Sequence, residues 1–377
     1  MIKNKLKLLK VFIIFIYVYC IFIINCKSKY IILNNLFINY KIKTQIINLY
    51  KYYEFCNKRN LIKEINIKNF IYPKISIISA VYNSEKYILR FLRSIQYQTF
   101  NDIEIIFVDD FSKDNTVKII KECQKKDQRI TLIKQNKNKG TLKSRNIGAL
   151  KAKGEYLIFP DADDILSNNI LKKCYDIAKK YNYDLIRFIF FQRNQNDINK
   201  IFFLYNNSIF QPKLSTFVFY SLGYLKINDF NICNKFINRI LFLRTLNNIN
   251  NFYLSQYMIY FEDGLINYAL HRNARSLYLM KNIGYFYIFN NESTTNNVNK
   301  NLEIKCFLLY LNFIFENSKN NEYEKNMSFH LLKAYMKNQK DNKNYLNIIK
   351  NLTYILKKKF NFNRFKHIFS IENYYQV

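Results

Sequence analysis

Between Lys74 and Phe191 the chain alternates short, solidly apolar runs with longer stretches whose apolar residues recur every three or four positions. The first kind reads as buried strands, the second as helices with one buried face. Lys74–Asn83 begins as a strand and ends in polar turn residues, and Glu85–Gln98 then sets Tyr87, Ile88, Phe91, Leu92 and Ile95 at helical spacing. Ile103–Val108 is the next strand, ending in Asp109-Asp110. The stretch Asp114–Cys123 follows, with Val117, Ile120 and Cys123 three apart. Ile130–Ile133 is a third strand, Asn138-Lys139-Gly140 turns into a helix from Thr141, and Gly154 hands over to the run Tyr156–Phe159, which stops at Pro160. Ile170, Leu171, Cys174, Ile177, Ala178 and Tyr181 mark another amphipathic helix before a strand at Leu185–Phe191. This alternation predicts an α/β fold, a mostly parallel sheet flanked by helices with right-handed crossovers. Ligands of such sheets bind beyond the carboxyl ends of the strands, where Tyr82, Asp110 and Asp161 gather.

The run ending at Phe159 delivers Asp161, Asp163 and Asp164 together. Carboxylates this close raise one another's pKa in a low-dielectric cleft. A cation that takes hard oxygen ligands, Mg²⁺ or Mn²⁺, neutralises them and can hold a substrate diphosphate. Taken alone, the string favours a solvated acidic turn or a helix N-cap.

Four strings occur in order: Ser-Ala-Val-Tyr-Asn-Ser-Glu (79–85), Val-Asp-Asp-Phe-Ser-Lys-Asp-Asn-Thr (108–116), Asn-Lys-Gly-Thr-Leu-Lys-Ser-Arg-Asn-Ile-Gly (138–148) and Phe-Pro-Asp-Ala-Asp-Asp (159–164). Together, at this spacing, they resemble family 2 glycosyltransferases of the GT-A fold, in the nucleotide-diphospho-sugar transferase superfamily. The resemblance is clear from Lys74 to Phe191 and fainter to about Thr295. It implies that Tyr82 stacks on the nucleotide base, that Asp110 accepts hydrogen bonds from the donor nucleotide, and that Arg145 meets donor phosphate or base through its planar fork. It further implies that Asp161 and Asp163 are the DxD metal motif, with Asp161 also serving the donor, beside Asp164. Glu262-Asp263, opening a helix that carries Leu265, Tyr268 and Ala269, resembles the family's Glu-Asp motif. There Asp263 is the general base for the acceptor hydroxyl and Glu262 its catalytic neighbour; an acidic helix cap is the alternative. Ala80 departs from the family's usual proline and Lys139 from a frequent glycine. Cys233-Asn-Lys235-Phe resembles an Asn-Lys-aromatic segment before the acceptor half, and Tyr285-Phe-Tyr287 with Ser293 resembles a closing element of the same subgroup.

Lys and Arg number 59 against 27 Asp and Glu, a net charge of +32. Lys, Asn, Ile, Tyr and Phe are inflated together while Gly, Pro and Trp number 6, 3 and 0, so compositional bias accounts for the scattered lysines. With no arginine-rich stripe, nucleic acid is not expected as a partner. A diphosphate donor still gains from the positive field. The 7 cysteines form no CxxC pair and have no histidine at ligand spacing, which argues against zinc.

Lys3, Lys5, Lys7 and Lys10 precede the uncharged run Val11–Ile24, and bulky residues before Cys26 lack a cleavage pattern. The expectation is a signal-anchor, or a cleaved signal peptide, over 1–26, with a single-pass membrane protein placing its catalytic domain in the ER or Golgi lumen. A stem over 27–72 follows, then a nucleotide-sugar-binding half (73–193), an acceptor half (194–300) and a C-terminal helical region (301–377). Asn206, Asn291, Asn326 and Asn351 stand in glycosylation sequons. The expected activity is hexosyltransferase-like transfer of a sugar from a nucleotide-diphosphate donor to a hydroxyl of a glycan, lipid or protein, inverting and dependent on Mn²⁺ or Mg²⁺. The alternative is a catalytically silent, membrane-tethered nucleotide-sugar-binding protein.

Overall fold

The solid apolar runs become the middle of one sheet in the computed structural model, which describes residues 44–57, 62–65, 72–192, 209–210, 231–293 and 297–318. Its strands are β1 (Ile75–Val81), β2 (Ile103–Asp109), β3 (Ile130–Lys134), β4 (Tyr156–Ile158), β5 (Ile165–Leu166), β6 (Leu185–Gln192), β7 (Ile209–Phe210), β8 (Lys235–Asn238) and β9 (Leu277–Tyr287). They run in the order β3-β2-β1-β4-β8-β6-β9-β5, with β7 also paired to β9. β3, β2, β1 and β4 are parallel, with Val81 opposite Asp109 and Ile75 opposite both Ile103 and Tyr156. This register brings the ends of β1, β2 and β4 to one edge.

The expected mostly parallel sheet is corrected to a mixed one. β4 and β6 flank β8 antiparallel, β6 and β9 are parallel, and β5 and β7 pair antiparallel with β9. The missed strands β5, β7 and β8 have 2, 2 and 4 residues, too few to show a period, whereas β9, also missed, has 11.

Helices cover both faces: α1 (44–57), α2 (Ile88–Gln96), α3 (Thr116–Lys126), α4 (Thr141–Lys151), α5 (Ile170–Tyr181), α6 (Arg239–Asn248), α7 (Asn251–Ser255), α8 (Glu262–Asn273) and α9 (Lys300–Ser318). One core joins Ile88, Phe91, Ile120 and Cys174 to one face of the sheet; a second joins Leu142, Leu241, Leu265 and Phe307 to the other. α4 lies unusually close to β1, since a Cβ on Gly148 would stand 2.4 Å from Ile78 Cγ2. That contact holds Arg145, one turn earlier, against the strand ends.

α1 falls inside the expected stem, yet its Leu49 and Cys56 are buried in the domain core. Tyr52 donates to the Ser94 carbonyl (2.9 Å) and Arg93 to the Cys56 carbonyl (2.7 Å), fastening α1 to α2. The expected membrane segment at 1–26 lies outside the described residues. Among those described, no helix is long and apolar enough to cross a membrane. All five described cysteines are buried free thiols.

Candidate active site

Past the carboxyl ends of β1 and β2 the backbone is forced into unusual shapes. Asn83, Phe111 and Phe261 have φ of 48°, 74° and 60°, and each adjoins an expected site residue, Tyr82, Asp110 or Glu262. Left-handed backbone at residues other than glycine costs of order 1–3 kcal/mol and persists only where the surroundings enforce it, commonly at functional sites. Here Asn83 N–H donates to Ser112 Oγ (3.0 Å), Lys113 N–H to Asn83 Oδ1 (2.9 Å) and Ser112 N–H to Asp109 Oδ1 (3.3 Å), lacing the two loops together. Tyr82 is left half-exposed, with its ring available for stacking.

Asp110 is buried and already engaged. Its Oδ1 accepts from Gln135 Nε2 (2.8 Å) and Lys139 N–H (2.7 Å), its Oδ2 from Gly140 N–H (2.8 Å). The Ser144 hydroxyl, which donates to the Gly140 carbonyl (3.0 Å), also stands beside Asp110, so among the described residues one of a carboxylate's about four lone-pair positions is open to a ligand while Ser144 stays on that carbonyl. Burial raises the Asp110 carboxyl pKa against the opposing pull of the Lys139 and Gly140 amides. Asp110 therefore fastens the turn that starts α4. Gly140 is required there: its φ is +86°, and a Cβ would stand 2.8 Å from the Met258 carbonyl oxygen and 3.3 Å from Tyr257 Cδ2. Tyr257, close enough to Asp110 and Tyr82 for both to add to the burial that raises its phenol pKa, borders the same cleft. Nothing in the sequence separated it from the other tyrosines, 32 in all.

One turn into α4, Arg145 joins the two acidic motifs. Nη2 donates to Asp161 Oδ1 (2.8 Å), and Nη1 reaches Asp263 Oδ1 and Glu262 Oε1, the latter at 3.4 Å. Burial works against the guanidinium charge, but Asp263, Asp161 and Glu262 together outweigh it and hold Arg145 charged. The second oxygen of Asp263 accepts Ile232 N–H (3.0 Å). Glu262 is pushed well above the usual carboxylate range, first by burial and then by Asp263. Asp161 is raised to about 6, chiefly by desolvation against the pull of Arg145, with Asp163 and Asp263 adding. Its side chain keeps 43% of its surface, so solvent tempers that push.

Asp164 turns away from the cleft. It is fully buried, accepting Tyr285 O–H on Oδ2 (2.6 Å) and Ile288 N–H on Oδ1 (2.8 Å). Lys235 is also fully buried, its ammonium donating to the Asn231 carbonyl.

The donor set of Asp161 and Asp163 fits a hard divalent cation. Asp161 Oδ1 is taken by Arg145 and Asp163 Oδ2 by Asn290 Nδ2 (2.9 Å), leaving Asp161 Oδ2 and Asp163 Oδ1 without a donor among the described residues. Three carboxylates, Asp161, Glu262 and Asp263, share one guanidinium. No cluster of three or more His, Cys, Asp or Glu that could hold a metal is found among the described residues. Magnesium-type sites commonly take one or two carboxylates and complete their shell with substrate phosphate and water.

A parallel half-sheet ending in an acidic loop, extended by a mixed half that returns a second acidic pair on a helix, defines a GT-A-like α/β domain. Residues 76–243 match the family model described as glycosyl transferase family 2. The Streptococcus pneumoniae "Glycosyltransferase GlyG" is 32% identical over 130 residues, 34% of this chain and 43% of that protein. The chain thus matches less than half the length of this curated relative. Among solved structures, S. aureus TarS 1-349 superposes with a TM-score of 0.54 at 20% identity, covering 72% of this chain and 74% of that one. The same fragment in complex with UDP-GlcNAc gives 0.53 at 21%, covering 71% and 72%. At these identities the likeness is one of fold.

Proposed function

We propose that the domain transfers a sugar from a nucleotide-diphosphate donor to an acceptor hydroxyl with inversion at the anomeric carbon. The observation that carries this reading is Arg145, whose single fork spans Asp161 of the DxD loop and Asp263 at the start of α8, 118 residues away in sequence from Arg145. The groups that would bind a leaving diphosphate and deprotonate an acceptor therefore line one cleft. The UDP-GlcNAc complex of the TarS neighbour supports a nucleotide sugar as donor.

In this reading Tyr82 and Tyr257 flank the base, and the open lone pair of Asp110 receives a donor N–H or O–H. Asp161 and Asp163 would hold Mn²⁺ or Mg²⁺, which when bound supplies positive charge to the departing diphosphate. Arg145 turns from Asp263 toward the phosphates, and Asp263 takes the acceptor proton as the new bond to the anomeric carbon forms and the carbon–oxygen bond to the diphosphate breaks. A membrane-anchored, lumenal setting remains part of the proposal through the basic and apolar start of the chain.

The second reading, a silent nucleotide-sugar-binding protein, draws on the engagement of both Asp263 oxygens. Donor consumption decides between them. Purified protein is incubated with UDP-sugars and Mn²⁺, with and without acceptor glycans, and free UDP is measured. The wild type is expected to release UDP, and Asp263→Asn to lose about 10²-fold or more of that rate while still being stabilised by donor. Equal rates in the variant refute the base assignment. Thermal stabilisation by donor without UDP release from the wild type supports the silent protein.

A further inference from the structure

We propose that Asn290, oriented by Tyr87, is a positioning residue that aims the cation-facing oxygen of Asp163, in extension of the metal-dependent reading above. The loop Asp161–Asp164 leaves the sheet after Pro160, and a short acidic loop has no intrinsic reason to keep its carboxylates in one rotamer. Its frame comes from the far end of β9 and the segment that follows it. Tyr285 O–H, fully buried, donates to Asp164 (2.6 Å) and accepts Asp161 N–H (3.1 Å), and Ile288 N–H adds a second bond to Asp164 (2.8 Å). Arg90 donates to the Asp163 carbonyl, holding its main chain.

Among the described residues the Asp163 side chain has one hydrogen-bond partner, Asn290, whose Nδ2 donates to Oδ2 (2.9 Å) and leaves Oδ1, like Asp161 Oδ2, without a donor. An amide holds such a bond only if it is not flipped, and the flip is decided by its other end. Asn290 Oδ1 accepts Tyr87 O–H (2.9 Å) and Glu292 N–H (2.8 Å), both donors, so the amide nitrogen is directed to Asp163. Hydrogen bonds to metal-binding carboxylates from outside the ligand shell commonly govern metal affinity. Asn290 lies beyond the matched residues 76–243, and no motif pointed to it.

The test measures Mn²⁺ affinity by electron paramagnetic resonance in the presence of UDP, on the full chain, alongside the melting temperature. Asn290→Ala is expected to weaken Mn²⁺ binding about tenfold and also to lower the melting temperature, because Asn290 is 9% exposed and bonded to Tyr87, Asp163 and Glu292. Tyr87→Phe, which removes only the hydroxyl, weakens binding by a smaller factor. Since Tyr87 acts through Asn290, the double variant binds Mn²⁺ no worse than Asn290→Ala alone. Unchanged affinity in Asn290→Ala, fully additive losses, or a Tyr87→Phe variant that keeps wild-type affinity overturns the proposal. If the wild type binds UDP but no Mn²⁺, the metal-dependent reading itself falls, and this proposal with it.

Discussion

A guanidinium presents five N–H donors in a fixed fork, and at Arg145 that fork serves Asp161 with one arm and Asp263 with Glu262 with the other. The Arg145 side chain retains 8% of its surface while that of Asp161 retains 43% and that of Asp263 22%, so the cluster is dry on one side and open on the other. Removing one partner of a fully buried ion pair costs about 3–5 kcal/mol because a charge is left uncompensated. Solvent on the open side reduces that figure. Arg145→Ala is therefore expected to lose about 2–3 kcal/mol of stability in urea denaturation at pH 7.5. Arg145→Lys should recover part of it, since the charge returns without the fork. A loss below about 0.5 kcal/mol, the range of ordinary surface substitutions, would mean that the carboxylates do not depend on this arginine in the donor-free state.

At the scale of elements, what could be read from the chain was what is local. The strands β1, β2 and β6 are solid apolar runs and the helices α2, α3 and α5 carry their own period, and Asp110 and Asp161 stand within three residues of a strand end. Asp109 caps the turn after β2 by accepting Ser112 N–H. The contacts that make these residues a site are long-range, Arg145 with Asp263 and Asn290 with Asp163, and no local spacing encodes them. α1 is a different case, because Ile46, Leu49, Tyr50, Tyr53 and Cys56 do recur at threes and fours, but in a chain so rich in Asn, Tyr and Ile such a recurrence does not stand out from its background. Tyr50 and Tyr53 meet Phe286 edge-on, with ring centroids 5.2 and 5.7 Å away, and Arg90 lies over the Tyr53 ring at 5.6 Å. Through Arg90, which donates to the Asp163 carbonyl, the helix reaches the Asp161–Asp164 loop. Leu49→Ala, at a position 3% exposed, is accordingly expected to cost about 2–4 kcal/mol in equilibrium denaturation, whereas a residue of a loose tether would cost almost nothing.

For the whole molecule, two electrostatic effects oppose each other as pH changes. A chain of net charge +32 grows more positive as its 27 acidic side chains protonate, and that self-repulsion weakens the fold. Ordinary carboxylates titrate near 4, however, so this effect is concentrated at acidic pH. The cleft works in the other direction and at higher pH. Asp161 is raised from 3.8 to about 6, mostly by desolvation, and Glu262 is raised by burial and by Asp263. A carboxyl whose folded pKa exceeds its unfolded one contributes stability that is fully present below the unfolded pKa and is lost as pH rises through the folded value. Between about pH 5 and 8 the cleft dominates, because most surface carboxylates are already ionised there. In the absence of metal and donor, the melting temperature is expected to fall across that window. Glu262→Gln, which cannot ionise, should flatten the fall, and Mn²⁺ with UDP should raise the melting temperature more at pH 8 than at pH 5, since the cation replaces the lost protons on Asp161. A melting temperature that rises steadily from pH 5 to 8 would show that repulsion among the lysines governs the whole range and that the acidic cleft is better solvated than its burial implies.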